Sequence, residues 1–246
     1  MKIAVELVPR SADAVRDDLK VVEACCPQLD IINVPDLVRY ETRSWQACAT
    51  VQSPFLRTIP HIRAIDIDLY QPLPMADYLR KHQIKEVLVV GGDIPQDMGH
   101  HIYPSTSTDI IRKFKEEMPE VKVYAAIDQY RTSMRKEAMY IQRKLYAGAD
   151  GFFTQPFFDV RFMEMYAEIL AGHDVYWGVA PVMSTRSVFY WETKNNVVFP
   201  KNFEPTLEWN TRFAREALET VDKLGSNIYF MPIQMNLERY FTNIFR

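Results

Sequence analysis

Two carboxylates and one amide are placed where they could do chemistry. Glu6 lies in IAVELVP between Val5 and Leu7, a carboxylate inside an otherwise apolar run. Burial there would raise its pKa and keep it protonated near neutral pH, the state a general acid needs; paired with a buried Arg or Lys it would be structural instead. Asp93 ends VLVVGGD, directly after Gly91 and Gly92. Glycines let the backbone approach a ligand closely, and the same triplet ahead of Pro95 also reads as a plain strand-end turn. Gln155, with Thr154, interrupts the aromatic run GFFTQPFFD. Its amide can donate to and accept from a heterocycle, or cap a strand end.

Other reactive types point away from several classes. Cys25, Cys26 and Cys48 form no C-x-x-C pair and read as inert thiols. No H-E-x-x-H or other metal spacing is present, and no G-x-S-x-G, so neither metal catalysis nor an α/β-hydrolase is expected.

These residues need a scaffold, and the chain supplies one by alternation. Eight runs rich in Val, Ile, Phe and Tyr read as strands: from Ile3, Leu29, His61, Glu86, Val121, Gly151, Val175 and Asn227. Between them, helical spacing predicts helices over Ala12 to Cys25, Ser107 to Met118, Ser133 to Ala147, Asp159 to Ile169 and Thr211 to Leu224. Strands alternating with helices imply a parallel sheet, here an α/β single-domain (β/α)8 TIM barrel over residues 1–246. An open doubly wound sheet is the competitor, weakened because no G-x-G-x-x-G opens the first helix.

In a barrel the C-terminal strand ends converge, which groups Glu6, Asn33, Asp66, Asp68, Asp93, Asp128, Gln155 and the turn Met183 to Arg186, with Arg186 the main cation. Aromatics near that face, including Phe158, Tyr190 and Trp191, suit a flat conjugated ligand or plain packing. The chain has 246 residues, 48% hydrophobic and 25% charged, with net charge -3 and both signs interspersed. A nucleic-acid surface is therefore not expected, and no stretch approaches the ~20 apolar residues of a membrane span. With no signal-peptide core in MKIAVELVPR, the expected location is cytoplasmic.

The ordered set of motifs resembles methylenetetrahydrofolate reductase: AVELVP, PHIRAIDID, VVGGDIP, VYAAID, RKLYAGADGFFTQPFFD and GVAPVMS, in that order. The resemblance implies reduction of 5,10-methylenetetrahydrofolate to 5-methyltetrahydrofolate with NADH or NADPH, usually through FAD, in a protein that is often a homo-oligomer. It implies Glu6 as the acid that protonates folate N10, Asp93 near both flavin and pterin, and Gln155 and Trp191 on the substrate. Cofactor contacts would come from His61, Gly92, Asp93, Ala125, Glu137 and Lys144. Departures from the pattern stand beside these matches. Gly91 replaces the arginine of the family's Arg-Gly-Asp, and Ile127 follows Ala125-Ala126 where a tyrosine is usual, with Arg131 nearest the later histidine position. Two routes are open, hydride passage through FAD or directly from nicotinamide to folate. A rival reading is a folate-binding barrel or partner subunit without redox function, and another is a barrel enzyme with a different pterin or one-carbon substrate.

Overall fold

Apolar strands spaced by amphipathic helices close on themselves in the computed structural model, which describes residues 1–94, 100–233 and 235–246. The strands are β1 (Ile3–Glu6), β2 (Leu29–Val34), β3 (Arg57–Arg63), β4 (Glu86–Val90), β5 (Lys122–Ile127), β6 (Gly151–Phe157), β7 (Val175–Val179) and β8 (Asn227–Phe230). Each pairs in parallel with the next, and β8 returns to β1. The expected (β/α)8 barrel is the observed fold, and closure removes the open-sheet alternative.

The helices are α1 (Ala12–Cys25), α2 (Ser44–Val51), α3 (Ala76–Lys81), α4 (Ser107–Glu117), α5 (Met134–Tyr146), α6 (Val160–Ile169), α7 (Thr185–Asn195), α8 (Leu207–Lys223) and α9 (Leu237–Phe245). Side chains cap most of them: Ser11, Thr106, Ser133, Asp159, Ser184, Thr206 and Asn236 each accept an otherwise unpaired first-turn N–H. Their apolar stripes, such as Trp209, Phe213, Ala214, Ala217 and Val221 of α8, pack on the barrel wall. None is long and apolar enough to cross a membrane, among the described residues.

Two expectations need correction. The third strand starts at Arg57, so His61 sits inside it, and a short 3-10 turn over Ala64–Asp66 follows. The eighth helix starts at Leu207 behind the Thr206 cap, not at Thr211. Helices α2, α3, α7 and α9 add to those expected from the sequence.

Register decides which side chains fill the barrel. Glu6 lies beside Asn33, Asn33 beside Ile59, Arg63 beside Val90, and Val89 beside Ala125. Because faces alternate along a strand, Glu6, Asn33, His61, Arg63 and Ala126 share the inner face, and Ala125 points to the helical shell. Beneath this polar layer lies an aromatic plug. Phe153 stacks on Tyr176 with centroids 4.3 Å apart, and the Tyr124 and Tyr229 rings each meet its edge at 5.1 Å. Below the plug, Arg57 pairs with Glu86 at 2.8 Å and Lys122 with Asp174 at 2.7 Å.

Candidate active site

The inner polar layer brings together groups far apart in sequence. The Tyr229 hydroxyl donates to the Glu6 carboxylate across the β8–β1 seam, and lies 3.4 Å from His61 Nε2. Burial pushes Glu6 up to about 7, with the Tyr229 hydrogen bond opposing in part. Burial alone drops His61 to about 3, so its imidazole is neutral at physiological pH and its 3.9 Å approach to Glu6 is not an ion pair. The first strand thus holds a carboxyl that keeps its proton up to neutrality, beside a neutral imidazole and a phenol.

That titration bears on stability. Glu6 binds a proton more tightly folded than unfolded, so its contribution is complete below about 4.5 and is lost as pH rises through about 7. His61 has the opposite sense, losing its contribution as pH falls from 6.5 toward 3. The two oppose each other in the weakly acidic range, so Glu6 is best isolated by substitution. Glu6→Gln is expected to gain stability relative to the parent protein between pH 5 and pH 8, by up to about 3 kcal/mol. Urea unfolding at the two pH values checks this; an equal difference at both would mean that Glu6 is not buried as a protonated acid.

His61 also lines a cavity of about 600 Å³ at the C-terminal mouth, with Arg63, Gly92, Asp93, Glu137, Lys144 and Gln155. Arg131, Arg143 and Lys144 line it as well, as do Thr106 to Thr108 at the start of α4 and the carboxylates Glu137 and Asp128, the latter 3.3 Å from Arg131. Lys144 Nζ donates to the Ala126 carbonyl at 2.7 Å and lies 3.5 Å from Glu137 Oε1; burial lowers its pKa and Glu137 opposes that. Among the expected site residues, Glu6 and Ala125 do not line the cavity, and Ala126 does; Glu6 stands 3.9 Å from His61, which does line it. Trp191 does not line it either; it packs edge-on against Phe158 at 5.8 Å. Arg186 is exposed in the first turn of α7, so the cations of the cavity are Arg63, Arg131, Arg143 and Lys144 instead. Pro95, which ended the motif containing Asp93, lies outside the described residues.

Three features were not singled out from the sequence. Tyr229 is the partner of Glu6, visible only once β8 closes on β1. Gln129 is buried and donates to the carbonyls of Gln155 at 2.8 Å and Pro156 at 3.1 Å. It supports an irregularity in β6, where register with β7 shifts between Phe153 and Pro156; Gln155, within that segment, lines the cavity. The third is an ion chain at the ends of β2, β3 and β4. Arg43 grips Asp36 through Nε at 3.0 Å and Nη2 at 2.5 Å and reaches Asp66 at 3.2 Å; Arg63 Nε binds the same Asp66 oxygen at 3.0 Å. Arg63 Nη2 then donates to the Asp93 carbonyl at 2.7 Å. Gly92 is at φ +93°, where an added Cβ would meet Ile65 at 2.9 Å, so glycine is required for this close stacking of the two strand ends.

A family model described as methylenetetrahydrofolate reductase matches residues 37–239. The chain is 24% identical over 181 residues to the 5,10-methylenetetrahydrofolate reductase of Buchnera aphidicola subsp. Schizaphis graminum, covering 70% of this chain and 60% of that one. It is 24% identical over 150 residues to the enzyme of the same name from Pectobacterium carotovorum subsp. carotovorum, covering 59% and 50%. The matches therefore span 60% or less of those relatives' lengths. In fold it is similar to a Clostridium thermocellum protein that binds two copies of 5-methyl-5,6,7,8-tetrahydrofolic acid. The TM-score is 0.66 at 14% identity, with 99% of this chain and 93% of that one covered.

Proposed function

The chain belongs to the methylenetetrahydrofolate reductase family, and on that premise we propose that it reduces 5,10-methylenetetrahydrofolate to 5-methyltetrahydrofolate at the expense of NADH or NADPH. The observation that carries this reading is Glu6, buried, hydrogen-bonded by Tyr229 and 3.9 Å from His61, which lines a cavity with the acceptors and donors a pterin needs. Opening the imidazolidine ring requires a proton at N10 as the C–N bond breaks. Glu6 is the acid we assign to that step, beside His61 at the cavity wall, with Tyr229 fixing the carboxyl's orientation. Asp93 and Gln155 face the same cavity and serve the pterin edge, and the plug of Phe153 and Tyr176 closes the floor against water from below.

The cations of the cavity, with the N–H-bearing start of α4 on the same lining, suit a diphosphate. That group is common to FAD and NAD(P)H. FAD, when bound, supplies a hydride relay between nicotinamide and folate; Glu137, Lys144 and Arg143 are the residues that would hold its tail, with Gly92 and His61 nearer the rings. Direct hydride transfer from the nicotinamide to the ring-opened folate uses the same acid.

The purified protein decides between these routes. NADH or NADPH oxidation that depends on methylenetetrahydrofolate is expected, and flavin absorbance in the same sample assigns the relay. Colourless protein with folate-dependent oxidation assigns direct transfer. Colourless protein that binds folate and oxidises neither nucleotide would replace the reductase reading with a folate-binding barrel.

A further inference from the structure

The sequence leaves no side chain at position 91, where the resemblance leads one to expect an arginine, yet the folded chain has a guanidinium at that turn. It comes from the neighbouring strand. Arg63 lies on the inner face at the end of β3, its side chain only 8% exposed, and it lines the cavity. Two of its nitrogens are taken, Nε by Asp66 Oδ2 and Nη2 by the Asp93 carbonyl. Nη1 has no hydrogen-bond partner among the described residues. Asp66 is held in turn by Arg43, and Arg43 by Asp36, so the guanidinium is fixed in direction before any ligand arrives.

We infer that Arg63 reads the 4-oxo group of the pterin, next to Asp93; this rests on the folate reading of the cavity. The pyrimidine edge of a pterin presents, in order, a 2-amino donor, an N3–H donor and a 4-oxo acceptor. A carboxylate answers the two donors and leaves the acceptor unmatched. Arg63 is bonded to the backbone carbonyl of the residue that bears this carboxylate, and because a carboxylate is symmetric the ring can bind with its 4-oxo group turned toward the free N–H. The result is an acceptor, acceptor, donor row in the protein, complementary to a 2-amino-4-oxo ring and mismatched to a 2,4-diamino one, where donor would face donor. Gln155, able to donate or accept, cannot enforce that distinction.

Folic acid and aminopterin separate the two edges, since they differ at position 4, oxo against amino, and in the N3 proton that follows. Titrated at pH 8 by calorimetry, the wild-type protein is expected to bind folic acid at least tenfold more tightly than aminopterin. Arg63→Met should weaken folic acid about tenfold and leave aminopterin nearly unchanged, so that the preference shrinks by the same factor. Arg63→Lys, which cannot serve Asp66, the Asp93 carbonyl and a ligand at once, should also lose most of it. Equal affinity of the wild-type protein for both ligands overturns the inference without needing any variant to fold, as does an undiminished preference in either variant. Binding of neither ligand by the wild-type protein would remove the folate reading itself, and the role of Arg63 with it.

Discussion

Replacing Glu6 by Gln is expected to lower kcat by about 10²–10⁴-fold while leaving folate affinity within a few-fold of the wild type. Gln is nearly isosteric and can still accept the Tyr229 hydroxyl bond, so the packing of the β1–β8 seam survives. What it lacks is a proton to give. The loss should therefore fall on kcat, since the missing interaction belongs to the breaking C–N10 bond and not to the bound ground state. The wild-type profile adds an independent check. With the acid form required and Glu6 near 7, activity should hold on the acid side and decline as pH rises through that value. A variant with unchanged kcat would dismiss Glu6 as the acid and leave it as a structural carboxyl.

Gly178→Ala is expected to destabilise the barrel by about 3 kcal/mol, lowering Tm by roughly 6–12 °C for a chain of this size. Gly178 faces inward on β7, and a Cβ there would stand 2.6 Å from the Thr154 carbonyl oxygen and 2.7 Å from that of Gln155. Those are backbone atoms, so they cannot turn aside. Their place is already determined from three directions: Gly178 N–H donates to Thr154 Oγ1 at 2.8 Å, Thr154 Oγ1–H to the Gln155 carbonyl at 2.9 Å, and Gln129 to the same carbonyl. Displacing this irregular segment also swings Gln155, so folate affinity should fall together with Tm. Differential scanning calorimetry with and without 5-methyltetrahydrofolate reads both effects, and an unaltered Tm would show that β6 yields more easily than its hydrogen bonds imply.

Much of the scaffold was legible because alternation of apolar strands with capped helices is written locally. Ser11 and Ala12 mark the start of α1 as plainly in the sequence as in the fold. The third strand begins earlier than its expected start at His61: Pro60 has no N–H for the ladder, yet the barrel keeps it paired beside Val34. Helix α9 carries Leu237, Tyr240, Phe241 and Ile244 at helical spacing and could have been found, whereas the six-residue α3 offers too few turns for periodicity to speak. The site was legible one residue at a time and not as contacts. Glu6 and Tyr229 are 223 positions apart, and only barrel closure joins them. The exchange of Ala125 for Ala126 follows from strand parity, which turns on a register no local pattern reports. Arg63 was hidden for a similar reason, since its neighbour in space is the end of another strand.

The aromatic plug has a consequence for how the acid is restored between cycles. Phe153, Tyr176 and Tyr124 separate Glu6 from the ion pairs at the opposite end of the barrel, and burial holds the phenols of Tyr124 and Tyr176 far above the range in which they exchange protons at neutral pH. Among the described residues, no side-chain hydrogen bond joins Glu6, Tyr229 or His61 to those two phenols. The Glu6 side chain is 11% exposed and stands 3.9 Å from His61, which lines the cavity at the mouth. In the proposed reaction the replacement proton and the departing product therefore use a single doorway. Recharging the acid has to wait for the folate to leave, which orders the two events in time.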